Sequence, residues 1–246
     1  IMEHIENAGI HSGDSACVLP PHTLSEDLIK KIREYTAAIA QGLGVVGLLN
    51  IQFAVKGSKV FVLEVNPRAS RTAPFVSKAT GVPLAKVAAQ IMAGKKLKDF
   101  SLPSCDDLPY FAVKESVLPF SRFSGVDIVL GPEMKSTGEV MGIAEHFGTA
   151  FYKSQICANQ ALPRAGKIFV SVKEEDKRNV AFLAKKLRDL GFGIVATRGT
   201  AKVLRSSGLS SEIVEKKGDD KNDILARINR GDIRLIINTP SGERGQ

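Results

Sequence analysis

Residues able to hold a phosphate-bound cation are concentrated between Gly47 and Arg71, in the run GLLNIQFAVKGSKVFVLEVNPRASR. Two alternating apolar and polar segments flank Gly57-Ser58-Lys59, which suits a short hairpin loop. A three-residue loop sets Val60 opposite Lys56, Val62 opposite Ala54, Glu64 opposite Gln52 and Asn66 opposite Asn50. Side chains two apart share a face, so Gln52, Glu64 and Asn66 project from one side while Ile51, Phe53, Val55, Phe61, Leu63 and Val65 cover the other. Directly opposed residues have Cβ atoms about 5 Å apart, close enough for Glu64 and Gln52 to share one cation. One carboxylate with amide oxygens is a hard, oxygen-only ligand set, suited to Mg²⁺ held jointly by protein and phosphates. Pro67 ends the strand, and Arg68 and Arg71 follow as the fixed cations that a transferring phosphoryl group needs. Any one Gln or Asn here reads more simply as the wet face of an amphipathic hairpin; the combination carries the argument.

Gln52, then Glu64 on the partner strand, then Asn66-Pro67-Arg68, resembles the metal-binding end of the ATP-grasp ligases. The run EVNPRASRTAPFVSKATGVPLAKVAAQIMAGK resembles the large chain of carbamoyl phosphate synthetase, as do EHIENAGIHSGDSACVLPP and SVLPFSRFSGVDIVLGPEMKSTGEVMG. The resemblance runs through all 246 residues.

With 246 residues and 43% hydrophobic content the chain can bury a sizeable core in one or two domains. No apolar run is long enough to span a membrane and no signal peptide opens the sequence. Cys17, Cys105 and Cys157 share no CxxC spacing, which implies a reduced, cytoplasmic chain without structural zinc. The net charge of +8 is scattered among acidic residues and Trp is absent, so small phosphorylated ligands explain it better than nucleic acid.

The opening Ile1-Met2-Glu3-His4-Ile5-Glu6 reads as strand interior, and no glycine-rich phosphate loop precedes the hairpin; the expectation is a fragment of a longer polypeptide. Glu6 to Ser15 is a polar turn. By resemblance, Gly9, Ile10, His11 and Ser12 lie along the adenosine side of the second ATP site, though His11 alone reads equally as a solvated turn residue. The resemblance also makes Glu6, Asp14 and Glu115 an acidic pocket for ornithine, and three carboxylates would complement a diamino acid.

Helical spacing of Leu28, Ile32, Tyr35, Ala38 and Ile39 predicts a helix over Ser25–Gln41, stopped by Gly42. Gly81-Val82-Pro83 opens another through Met92, closed by Gly94, with Lys95, Lys96 and Lys98 as dipole and solubility charges. Strands are expected at Tyr110–Glu115, Asp127–Leu130 and Gly138–Ile143, then a helix over Phe151–Cys157 and a linker over Ala158–Gly166. Arg122 reads as a surface residue or a substrate contact.

Beyond the linker, strands at Lys167–Val172, Ile194–Thr197, Glu212–Glu215 and Arg234–Asn238 alternate with helices at Glu174–Leu190, Ala201–Ser207 and Asn222–Asn229. Such alternation implies right-handed crossovers and a parallel sheet, with ligands outside the carboxyl ends of its strands. Thr197, Lys216 and Asn238 sit at those ends, and Thr200 opens a helix whose N-terminus can hold a phosphate. Each alone is an ordinary cap or surface charge; ATRGTA, however, resembles the phosphate-binding turn of the methylglyoxal-synthase-like domain. By that resemblance Lys177, Thr197, Thr200, Lys216 and Asn238 bind UMP or IMP. Pro240 replaces a Thr that relatives use on the phosphate, and Gly218-Asp219-Asp220 only faintly matches a lyase run.

The fold expected is α/β and α+β: the C-terminal part of an ATP-grasp domain over residues 1–157, followed by a small parallel-sheet, Rossmann-like methylglyoxal-synthase-like domain over 158–246, incomplete at its end. The resemblance implies ATP-dependent phosphorylation of carbamate, with Glu64 bridging Mg²⁺ or Mn²⁺, Gln52 and Asn66 completing the coordination, and Arg68 and Arg71 on the phosphates. K⁺ is a further candidate cofactor; the small glutaminase subunit, UMP or IMP, ornithine and further copies of the parent enzyme are the candidate partners, with no nucleic acid and no membrane. The alternatives are another ATP-grasp ligase, which would lack ATRGTA, and a stand-alone nucleotide sensor without ATP turnover.

Overall fold

The computed structural model describes residues 1–103, 108–122, 125–214 and 224–239. The chain divides into two units, Ile1–Ala161 and Leu162–Gln246, a few residues beyond the expected break after Cys157.

The first unit is built on an antiparallel sheet of β1 (Glu3–His4), β2 (Cys17–Leu19), β5 (Phe111–Val117) and β6 (Gly138–Ala144), in that order. Its two faces follow from strand alternation. Leu19 and Ala112 turn to one side, against Phe75 and Ala79 of α2 (Thr72–Thr80). Val18 and Val113 turn to the other, against Ala150 of α4 (Phe147–Cys157). At Gly142 of β6 a Cβ would stand 2.1 Å from the Ala150 carbonyl oxygen, so glycine lets α4 lie close on the sheet.

α2 did not stand out in the sequence: TAPFVSKAT carries Pro74 in its first turn, where proline is tolerated, and Gly81 ends it at φ 73°. The expected helix from Gly81 therefore starts later, as α3 (Leu84–Met92), behind Pro83. α1 (Glu26–Gly42) runs to the glycine expected to stop it and buries Ile29 and Ile32.

The hairpin β3 (Asn50–Lys56) and β4 (Lys59–Asn66) departs from the expected register near its turn. The loop has two residues, Gly57 and Ser58, with Lys56 opposite Lys59 and Ala54 opposite Phe61. Gly57 takes φ 59°, the left-handed conformation that primed hairpin turns require. A bulge between Gln52 and Phe53 then absorbs one extra residue of β4, so that Gln52 still opposes Glu64 and Asn50 still opposes Asn66. The expected apolar face is corrected accordingly. Phe61, opposite Ala54, leaves it, Val62 joins Phe53, and Leu63 lies at the bulge beside Glu64.

Asp127–Leu130 is not a strand. Its carbonyl groups at Asp127 and Val129 accept hydrogen bonds from Lys135 Nζ, 2.8 Å each, and the Val129 N–H goes to the Asp127 carboxylate. Local side-chain bonds thus replace a ladder, and Val126, Ile128 and Val129 remain exposed.

The second unit is a parallel sheet ordered β10 (Ile233–Asn238), β7 (Lys167–Ser171), β8 (Gly193–Ala196), β9 (Glu212–Ile213). Ile168, Val170, Ile194 and Ala196 form one core with α5 (Lys177–Asp189) and α6 (Arg198–Ser206); Phe169 and Val195 form the other with Ile224 of α7 (Ile224–Asn229). Both faces are covered, as parallel sheets demand.

Candidate functional sites

The sheet and hairpin of the first unit meet at a cavity of about 370 Å³. Its lining includes Gly9, Ile10, His11 and Ser12 from the loop after β1, Gln52 from β3, Glu64 and Asn66 from β4, and Arg68 and Arg71 from the link to α2. Every residue expected to touch ATP or metal is therefore brought to one space.

The ends of the hairpin fix the polar set. Asn66 Nδ2 donates to Glu64 Oε1, which leaves the amide oxygen of Asn66 and the second oxygen of Glu64 available to a cation. The Arg68 N–H turns back to the Asn66 carbonyl at 2.8 Å, a tight reversal that delivers Arg68 and Arg71 to the same space. Among the described residues no group of three His, Cys, Asp or Glu side chains could hold a metal. A single carboxylate with two amide oxygens fits a hard divalent cation that takes its remaining ligands from phosphate and water, rather than a closed protein cage.

Arg71 occupies a slot. Its guanidinium lies so close to Gly13 that a Cβ there would stand 1.9 Å from Nη2, and Nη2 points at the sulfur of Met134. Gly13 also gives its N–H to His11 Nδ1 at 3.0 Å, which settles the orientation of that imidazole. His11 in turn donates its own N–H to the Gly131 carbonyl at 2.8 Å.

Asn50, Ser70, Thr72, Lys114 and Glu139 also line the cavity and were not anticipated. Lys114 of β5 is 3% exposed, donates to the Ser12 carbonyl at 3.4 Å and stands 3.8 Å from Glu139 of β6. A signal for it existed: a lone Lys inside the apolar alternation FAVKESV is anomalous, because lysine is almost never buried unpaired.

The three carboxylates expected to receive ornithine do not share one environment. Burial pushes Glu6 and Glu115 above the usual carboxylate range, and Glu115 is raised further by the charge of Glu6. One oxygen of Glu6 is buried with no hydrogen-bond partner among the described residues, while Glu115 accepts from Gln155. Asp14, 1% exposed, instead has both oxygens engaged by the N–H groups of Lys135 and Ser136, at 2.7 and 2.8 Å. Burial opposes ionisation of Asp14, but the Ser136 hydroxyl together with these two N–H groups prevails and holds its carboxyl below its usual range.

In the second unit Thr197 follows the carboxyl end of β8 and Asn238 ends β10, while Lys177 and Thr200 lie at the starts of α5 and α6. Thr197 precedes α6, and its hydroxyl lies 3.4 Å from that of Thr200, whose oxygen also accepts the Val172 N–H at 3.4 Å. Lys177 opens α5, pairs with Glu174, and places Nζ within 3.3 Å of where a Cβ on Gly199 would sit. Asn238 ends β10 opposite Ser171, and the neighbouring Thr239 hydroxyl, not anticipated, accepts the Lys173 N–H at 3.0 Å. Lys216, Gly218-Asp219-Asp220 and Pro240 lie outside the described residues, as does Cys105.

Comparison with known proteins follows the same division. Residues 1–100 match the family described as "Carbamoyl-phosphate synthase L chain, ATP binding domain", and residues 179–246 match the "MGS-like domain". The chain is 51% identical to a carbamoyl phosphate synthase large chain of Myxococcus xanthus, over 99% of this chain and 22% of that protein. It is 55% identical to the large chain of Archaeoglobus fulgidus, over 100% of this chain and 23% of that one. A Methanocaldococcus jannaschii "Carbamoyl phosphate synthase large chain, C-terminal section" is 51% identical over 100% of this chain and 42% of its own length. The chain thus spans less than a quarter of the first two relatives and 42% of the third. Among solved structures, N5-carboxyaminoimidazole ribonucleotide synthetase from Thermus thermophilus aligns at TM-score 0.46 and 16% identity, over 65% of this chain and 45% of that one. Among the described residues no helix is long and apolar enough to cross a membrane.

Proposed function

The chain belongs to the carbamoyl phosphate synthase large-chain family, and we propose that its first unit supplies the metal- and phosphate-binding side of an ATP site where carbamate is phosphorylated. The observation that carries this reading is the convergence of Gln52, Glu64, Asn66, Arg68 and Arg71 with the Gly9–Ser12 loop on one cavity. In the reaction a carbamate oxygen forms a bond to the γ-phosphorus, the bond from that phosphorus to the bridging oxygen breaks, and ADP departs with the electron pair. Arg68 and Arg71 neutralise the charge on the transferring group. Gln52, Glu64 and Asn66 would hold Mg²⁺ or Mn²⁺, which when bound draws charge from the phosphate oxygens.

The second unit is the nucleotide-sensing module of this reading, with UMP or IMP phosphate received by Thr197, Thr200 and Lys177 and the rest of the nucleotide reaching Asn238. Glu6 and Glu115 would receive the ammonium groups of ornithine, since two partly buried carboxylates, one with an oxygen unpartnered among the described residues, gain most from a cationic ligand. The name "large chain" of the relatives implies an enzyme complex, and the small glutaminase subunit is the proposed partner.

The deciding experiment replaces Glu64 by Ala in the longer synthetase that carries this sequence and measures ATP formation from ADP and carbamoyl phosphate. Loss of that activity with an unchanged circular dichroism spectrum is expected; normal activity removes the assignment.

A further inference from the structure

Two segments far apart in the chain enclose Arg71. On one side lies Gly13, where only the absence of a side chain makes room for the guanidinium. On the other lies Met134, whose sulfur faces Nη2. Several hydrogen bonds hold these walls together, and one side chain makes two of them. Asp14, next to Gly13, takes the backbone N–H of Lys135 and Ser136, the two residues after Met134, on its two oxygens. Ser136 closes the same junction from its side, donating its hydroxyl to the Gly13 carbonyl at 3.0 Å, and Ser116 adds a second donor to that carbonyl at 2.8 Å.

We infer that Asp14 is a positioning residue for Arg71: by clamping the Met134–Ser136 backbone to Gly13-Asp14, its carboxylate sets the slot that aims the guanidinium into the cavity. The inference rests on the proposed role of Arg71 at the phosphates. It assigns Asp14 a task other than ligand binding, and the geometry favours that task. A carboxylate that is 1% exposed and bonded through both oxygens to backbone amides is already engaged within the fold. An amide in its place would present an NH₂ to one of the two N–H donors and open the clamp at that bond.

The test compares Asp14→Asn, Met134→Ala and Arg71→Ala in the longer synthetase, with ATP and bicarbonate as substrates and ornithine present or absent. Asp14→Asn and Met134→Ala are expected each to lower kcat about tenfold with KM for ATP within about twofold, and the double variant to fall no further than Asp14→Asn alone. Met134→Ala leaves the Asp14 hydrogen bonds in place, so it reports on the slot even if Asp14→Asn fails to fold. Amide exchange at Lys135 and Ser136 in the 246-residue chain supplies a readout independent of turnover, with protection expected at both in the native sequence and loss at one of the two in Asp14→Asn. The inference is overturned if Asp14→Asn shifts only the ornithine concentration needed for activation, or if Met134→Ala leaves kcat unchanged. Normal turnover in Arg71→Ala would instead remove the role of Arg71 on which the inference stands.

Discussion

Glu64 lies directly across the β3–β4 hairpin from Gln52, although the strands slip by one residue between that pair and the turn. The bulge that reconciles the two leaves Leu63 and Glu64 together beside Gln52, and all three line the cavity. The amide of Gln52 thus owes its place beside Glu64 to the register, and in the proposed reading it joins the metal ligands by position rather than by its own affinity.

That position predicts graded losses. Gln52→Ala removes a neutral oxygen and should raise the Mg²⁺ or Mn²⁺ concentration that supports half-maximal turnover by about tenfold, the scale of losing one supporting metal contact. Glu64→Ala removes the sole carboxylate of the set and should not be rescued by added metal. A titration of turnover against Mn²⁺ in both variants checks this; equal behaviour would place the cation elsewhere.

The cysteines give a test of the first unit's packing. Cys17 is wholly buried in β2, and burial pushes its thiol up to about 12. Cys157, at the end of α4, is exposed. Iodoacetamide at pH 8 should therefore label Cys157 within minutes and spare Cys17 until denaturant is added, since the thiolate is the reactive form. Mass spectrometry of the tryptic peptides reads the result, and rapid labelling of Cys17 would contradict the β1-β2-β5 sheet.

Glu212 makes the second unit sensitive to acid. Hydrogen bonds from Arg227, at 2.7 and 3.0 Å, and from Lys167, at 2.8 Å, pull its carboxyl down to about 2. Because the folded value lies below the unfolded one, the contribution is present above the usual glutamate pKa near 4.5 and lost as pH falls from there to about 2. Glu212 is half exposed, so screening limits the effect to roughly 1 kcal/mol or less. Thermal melts at pH 6 and pH 3 should differ less for Glu212→Gln than for the native sequence; an identical drop in both would show that this pair contributes nothing.

Why some of this could be read in advance, and some not, follows from the range of each interaction. The parallel sheet of the second unit and the polar face of the hairpin are local: period-two alternation places Gln52, Glu64 and Asn66 together, and alternating strands and helices order β7 to β10. The loop of the hairpin is also local but is decided by one dihedral angle, that of Gly57, which its identity permits without demanding. Lys114 and Glu139 reach the cavity only because β5 and β6 pair beside the loop after β1, a long-range outcome no spacing encodes. Asp127–Leu130 has strand-like residues, yet the ammonium of Lys135 competes for its carbonyls. Asp14 resembles a ligand in sequence, and only the fold reveals the two amides that engage it.

Thr200 offers the sharpest test of the proposed role of the second unit, because its hydroxyl has a structural contact and would have a ligand task beside it. It is 1% exposed, accepts the Val172 N–H at a long 3.4 Å, and sits in the first turn of α6, where the helix dipole favours an anion. Lys177 reaches the same turn beside Gly199. A phosphate there would accept a hydrogen bond from the Thr200 hydroxyl, whose oxygen can keep the Val172 N–H, and a hydrogen bond to a charged oxygen is worth about 1.5–3 kcal/mol, or roughly 10- to 150-fold in affinity. Thr200→Ser keeps the hydroxyl and should bind UMP within about threefold of the native chain. Thr200→Val keeps the shape and the burial, loses the hydroxyl, and should weaken UMP by that larger factor while the melting temperature moves by only a few degrees. Calorimetric titration of the 246-residue chain with UMP, and with IMP in parallel, measures both. If Thr200→Val binds as tightly as Thr200→Ser, the phosphate does not rest on this turn, and the ligand of the β7–β8–β10 rim must be sought at Asn238 and Thr239 instead.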